Sequence, residues 1–64
     1  MMKILRLRQV LELTGLSRST LYLYMQNRQF PIQVRLGQKI VGWVEDEVID
    51  WIRGRIQFRN ANPK

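Results

Sequence analysis

The stretch Leu11-Glu12-Leu13-Thr14-Gly15-Leu16-Ser17-Arg18-Ser19-Thr20-Leu21-Tyr22-Leu23-Tyr24 decides the fold, because it joins two helical patterns across a very short break. Before the break, Val10, Leu11 and Thr14 share one helical face; after it, Leu21 and Tyr24, or alternatively Met25, do the same. The break itself is Gly15-Leu16-Ser17. Glycine ends a helix at positive φ with little strain, leucine plugs the turn, and the serine oxygen receives free N–H groups of the following turn. So tight a turn holds two helices at a steep angle, as in a helix-turn-helix, whose second helix can lie in a DNA major groove. The same pattern also describes helical hairpins with no nucleic-acid role, so the outward residues have to decide between the two.

With Leu21 and Tyr24 inward, Arg18, Ser19 and Tyr22 face outward near the start of the second helix, and Gln26 follows a turn later. None is acidic. A guanidinium, a hydroxyl, a phenol and an amide all donate to phosphate oxygens or base edges, whereas a carboxylate there would be repelled by the phosphate backbone.

The chain has 64 residues, with no Cys and no His. That length predicts one domain, 1–64, burying only about 60 % of its unfolded surface, too little to house a large pocket. Without Cys and His there are no disulfides, no thiolate or imidazole catalysis and none of the common zinc sites. An enzyme is not expected, nor a cofactor, a metal or a small-molecule substrate. No apolar run approaches the ~20 residues that a membrane helix needs, and Lys3, Arg6 and Arg8 interrupt any signal-peptide core. The expectation is a soluble cytoplasmic protein with no membrane partner.

The net charge of +6 lies entirely in one part of the chain. Residues 1–44 hold Lys3, Arg6, Arg8, Arg18, Arg28, Arg35 and Lys39 against Glu12 alone, whereas residues 45–64 balance Arg53, Arg55, Arg59 and Lys64 with Glu45, Asp46, Glu47 and Asp50. A basic surface confined to the half with the helix pair is the footprint of a polyanion binder. Charge of this size also serves solubility in small domains, and it gains meaning from coinciding with the helix pair.

Around that pair the rest of the chain falls into place. Leu7, Val10, Leu11 and Thr14 predict a first helix over about 7–14, with Leu5 folding back on Val10 and Arg6 too poor a cap to prevent a ragged start. Glu12 reads as a surface residue able to pair with Arg8. The second helix is predicted from Ser17 to about Asn27, fraying through Arg28 and Gln29 and stopped by Phe30-Pro31, with Phe30 in the core. Ile32, Val34 and Leu36 alternate with Gln33 and Arg35 as in a half-buried strand; Gly37-Gln38 then signals a type II′ hairpin into Lys39–Trp43. Arg35, Gln38 and Lys39 thereby mark the exposed side and tip of a wing, although a hairpin of this kind can also merely complete a core. Gly42 implies a bulge or a close backbone approach, and Trp43 is the candidate centre of the core. Glu45, Asp46 and Glu47 start a last helix, where carboxylates suit the free N–H groups. Its buried stripe is Val44, Val48, Trp51, Ile52 and Ile56, and 58–64 reads as a loose tail.

Laid out in this way the chain resembles the AlpA family of small phage and prophage regulators, reduced relatives of the MerR-type winged helix. The resemblance rests on Arg6-Leu7-Arg8-Gln9-Val10, on residues 13–22, on Phe30-Pro31, on Val34-Arg35-Leu36-Gly37 and on residues 43–52, and covers nearly the whole chain. It implies a small, mainly helical α+β fold: two helices, a two-stranded wing hairpin and a C-terminal helix. It also implies sequence-specific binding of double-stranded DNA, in transcriptional regulation or as an excisionase directing recombination. By that resemblance Arg18, Ser19, Thr20 and Tyr22 fall on the recognition helix, and Arg35, Gln38 and Lys39 on the wing. Where such proteins often carry Arg or Lys, this chain has Leu23, to which three roles are open: a thymine methyl contact, packing under the wing, or a protein contact.

A footprint this small predicts several copies acting on repeated sites, with an integrase as a further candidate partner. The rival from another class is an adaptor that holds a recombinase or polymerase subunit through Leu23, Trp51, Ile52 and Phe58, its basic charge incidental. RNA binding lacks the interleaved exposed aromatics it needs, and a membrane-surface helix lacks basic residues flanking its apolar face.

Overall fold

The computed structural model describes residues 2–61. Its elements in chain order are β1 (Ile4–Leu5), α1 (Leu7–Thr14), α2 (Arg18–Gln26), β2 (Val34–Arg35), β3 (Val41–Val44) and α3 (Glu45–Ala61). This is the small, mainly helical α+β architecture that the sequence implies.

The helix pair forms as its pattern predicts. Val10 and Leu21 are wholly buried, and Leu7, Leu11, Leu16, Tyr24 and Met25 pack around them. Both helix ends that were expected to be loose are tied. Arg6 cannot accept a hydrogen bond, but the Gln9 side chain reaches back and accepts from the Arg6 N–H at 2.8 Å, which orders the start of α1. At the end of α2, Arg28 takes the left-handed conformation at φ 58°; its N–H donates to the Met25 carbonyl and the Gln29 N–H to the Tyr24 carbonyl. That is a Schellman closure made without glycine, where the left-handed backbone costs an L residue about 1–2 kcal/mol.

Two indoles then fasten the loop that follows. Trp51 donates to the Gln29 carbonyl at 2.7 Å and Trp43 to the Pro31 carbonyl at 3.2 Å. Phe30 between them is buried, edge-on to Trp51 with ring centres 4.8 Å apart. Phe30 and Trp43 therefore sit in the core as expected, with Leu5, Val10, Leu21 and Val48.

The sheet departs from expectation in three ways. It has three strands in the order β1-β3-β2, not two: Ile4 and Leu5 pair antiparallel with Val44 and Trp43. A strand of two residues is too short to show an alternation, so nothing in the sequence marks it. The hairpin turn is also longer than a type II′ turn. Leu36 and Gly37 both donate to the Ile40 carbonyl, leaving Gly37-Gln38-Lys39 as the loop, and Gly37 is not at the positive φ that a type II′ turn requires.

The third departure is the facing of β2. Its register sets Val34 opposite Gly42 and Arg35 opposite Val41. Directly opposed residues share a face, so Gln33 and Arg35 lie on the side of Trp43 and Leu5, and the apolar set lies on the other. Ile32, Val34 and Leu36 are accordingly 58 %, 38 % and 47 % exposed, the reverse of the burial that alternation predicts. A strand's pattern says which residues face together; it does not say which face has cover. Gly42 is the close approach foreseen for it: a Cβ there would lie 2.9 Å from the Leu5 carbonyl oxygen and would press on the Ile4 and Leu36 side chains.

Glu45, Asp46 and Glu47 do occupy the first turn of α3. Val48 is buried and Trp51 and Ile52 half-buried, but Ile56 is exposed, because the body of the domain ends about two turns before the helix does. The helix runs on through Phe58 to Ala61, residues expected as part of a tail; 62–64 lie outside the described residues.

Candidate nucleic-acid interface

Local chemistry sets where α2 begins and how it is turned. Gly15, at φ 75°, donates to the Leu11 carbonyl at 2.8 Å and ends α1. Thr14 Oγ1 donates to the Val10 carbonyl and accepts from the Leu16 N–H, which holds Leu16 against the core. Ser17 Oγ then accepts from the Thr20 N–H at 3.2 Å and donates to Thr20 Oγ1 at 2.9 Å. Each of the three turn residues has the task that its chemistry predicts.

Leu21 anchors the rotation of the helix. At 3.6 residues per turn, Ser19, Leu23 and Gln26 lie opposite it, with Tyr22 and Arg18 on one flank. Arg18, Ser19, Tyr22 and Gln26 are all exposed, so α2 brings these four predicted residues together on its solvent side. Thr20 is half-buried, and its N–H and hydroxyl oxygen are both engaged by Ser17, which places it in the helix cap. Leu23 is 52 % exposed near the centre of the outward face.

At the wing, Arg35 Nη1 donates to the Gln38 carbonyl at 3.1 Å and braces the loop, leaving other guanidinium donors in water. Gln38 and Lys39 are exposed at the tip. These three form a second group, joined to α2 through the loop that the two indoles fasten.

The electrostatics follow from what the cations lack. Lys3, Arg6, Arg8, Arg18, Arg28, Arg35 and Lys39 are exposed, and among the described residues the one ion pair is Arg53–Asp50 on α3. Glu12 and Arg8, whose spacing would allow a pair, do not make one. Among the described residues no charged side chain is buried, and no three Asp or Glu side chains converge to hold a metal ion. No described helix is long and apolar enough to cross a membrane.

Two features of this surface escape sequence reading. Arg28 projects from the closed end of α2, where nothing short of the backbone dihedral marks it. The apolar outer face of the sheet becomes visible only once the strand register is known.

The chain matches the family model described as the prophage CP4-57 regulatory protein (AlpA) over residues 3–56. It is 47 % identical over 57 residues to the uncharacterized protein ORF88 of Enterobacteria phage P4, covering 89 % of this chain and 65 % of that protein. It is 37 % identical over 62 residues to the DNA-binding transcriptional activator AlpA of Escherichia coli (strain K12), covering 88 % of this chain and 89 % of that protein. The chain thus spans just under two thirds of the first relative and most of the second. No solved structure matches it.

Proposed function

The chain belongs to the AlpA family of prophage regulatory proteins, and from that premise we propose that it is a sequence-specific binder of double-stranded DNA, of winged helix-turn-helix type, acting in the cytoplasm. In this reading α2 enters the major groove and the Gly37–Lys39 loop rests on the neighbouring backbone. Arg18 reads a base edge, and a bidentate contact to guanine contributes about 1–3 kcal/mol of discrimination. Tyr22, Arg35 and Lys39 hold phosphates, and Leu23 meets a thymine methyl. The outcome is phage-type regulation, by transcriptional control or by directing recombination, on repeated sites that several copies fill cooperatively.

The observation that carries this reading is the outward side of α2, where Arg18, Ser19, Tyr22 and Gln26 stand exposed with no carboxylate among them, in a half of the chain whose cations form no ion pair among the described residues. Selection of bound sequences from a random DNA pool, followed by affinity measurement, tests it. With about four phosphates neutralised, log affinity falls with log salt at a slope near ~−3.6. Arg18→Ala flattens the preference for selected over scrambled DNA, whereas Lys39→Ala weakens both alike. Absence of a mobility shift at low salt would overturn the reading, and identical effects of the two variants would overturn the division of roles.

A further inference from the structure

A groove of about 420 Å³ lies between the end of α1, the flank of α2 and the second half of α3. Its floor is Leu16, Tyr24, Trp51 and Ile52, and its lips are Leu13 and Ile56, large apolar side chains left exposed. The ionised side chains that line it are Arg55 and Arg59, with no carboxylate. The Arg55 guanidinium stands 5.9 Å from the Trp51 ring centre and 5.5 Å from that of Phe58, while Arg59 rests on the Asn60 side-chain oxygen.

We propose that this groove docks an acidic amphipathic helix of a protein partner, its apolar stripe on the floor and its carboxylates on Arg55 and Arg59. An apolar floor with a cationic border along α3 is the complement of such a helix, laid in as a helix-in-groove contact. A phosphate backbone could meet the arginines, but it would leave Leu13 and Ile56 in water. A second copy of this chain is a poor occupant. Each copy carries +6, and its acidic segment, the first turn of α3, already commits Val48 to its own core. Tyr24 stands across α2 from Ser19 and Gln26, so the groove stays open when the outward side of the helix is occupied. Simultaneous occupancy with DNA rests on the reading proposed above; docking of the helix does not.

The test uses the whole chain and two stapled synthetic helices of about four turns, long enough to be helical when constrained. Both carry the same Leu and Phe stripe, one with Glu and the other with Lys at the positions flanking that stripe. Binding is read from peptide anisotropy and from Trp51 emission, Trp43 being fully buried. The Glu helix should bind about tenfold tighter than its Lys twin, as two partly exposed charge pairs allow. The double variant Arg55→Glu/Arg59→Glu should reverse that preference, and Leu13→Ser/Ile56→Ser should weaken both helices alike. All four positions are exposed, so these variants keep the fold.

The proposal is overturned if both helices bind alike, if neither binds, or if the charge-reversed variant still prefers Glu. It is equally overturned if sedimentation shows a dimer that the variant abolishes, which makes a second copy the occupant. A loss of DNA affinity in Leu13→Ser/Ile56→Ser, which leaves the charge unchanged, as large as that of Lys39→Ala would place the groove against DNA and also overturn it. Loss of helix binding with DNA binding intact removes this inference alone; the converse removes the DNA reading alone.

Discussion

The helix pair and the wing hairpin obey the same chemistry but report it with different fidelity. In α1 and α2 every large apolar residue on the predicted inner face is buried or half-buried, and each turn residue does what its type predicts. In the hairpin the apolar side is the uncovered one: Ile32, Val34 and Leu36 face solvent, while Gln33 is half-buried with its Oε1 shielded and unpartnered. A helix carries its own hydrogen bonds, and its caps lie within a few residues, so local sequence can specify it. A strand takes its partners from elsewhere, and its two faces are equivalent until something covers one of them.

That difference can be broken or sharpened by substitution. Trp43 is where the two regions meet, wholly buried and bonded to the Pro31 carbonyl. Trp43→Ala should destabilise by about 3–5 kcal/mol, with helix and hairpin lost together in one urea transition. Two separate transitions would show that the regions do not share a core.

Gln33 offers a test of opposite sign. Burying an unpartnered acceptor costs roughly 1–3 kcal/mol, so Gln33→Met, close in volume, should raise stability by about 1 kcal/mol in the same assay. If Gln33 faced water as strand alternation predicts, the change would be neutral or harmful.

Ser17→Ala removes the oxygen that accepts from Thr20 and should cost about 1 kcal/mol, seen as a lower urea midpoint and faster amide exchange in the first turn of α2. Amide exchange in β3 should move less than in α2, since a cap acts within its own helix. The smallest effect is expected at Ile32, exposed on the open side of the sheet. Ile32→Thr should change stability by no more than about 0.5 kcal/mol, against a loss of 1 kcal/mol or more for a core isoleucine. A large loss at Ile32 would return that face to the interior and close the gap between the two regions.

The candidate site divides along the same line. Arg18, Ser19, Tyr22 and Gln26 could be placed outside because Leu21 and Tyr24 fix the rotation of their own helix. Thr20 follows the cap geometry into a half-buried position, which the Ser17-to-Thr20 spacing already permits. Arg35, Gln38 and Lys39 are exposed as their positions predict, yet the turn that carries them is longer than a type II′ turn, since Gly-X between two strands does not reveal that Leu36 pairs with Ile40. Arg28 and the groove beside Arg55 had no local signal. One depends on a backbone dihedral set by the end of α2, the other on α3 closing over the helix pair, which lies far back in the chain.

The sequence by itself determined two helices with a three-residue turn, a hairpin, an acid-started last helix, a core centred on Trp43 and a basic half, because periodicity, capping and charge act over a few residues. Only the tertiary structure decided that Ile4 and Leu5 form a third strand, that the sheet turns its aliphatic side to water, and that α3 outruns the body it packs on. Those outcomes depend on which surfaces meet. Burial is a property of pairs of elements, and no single stretch of chain contains both members of a pair.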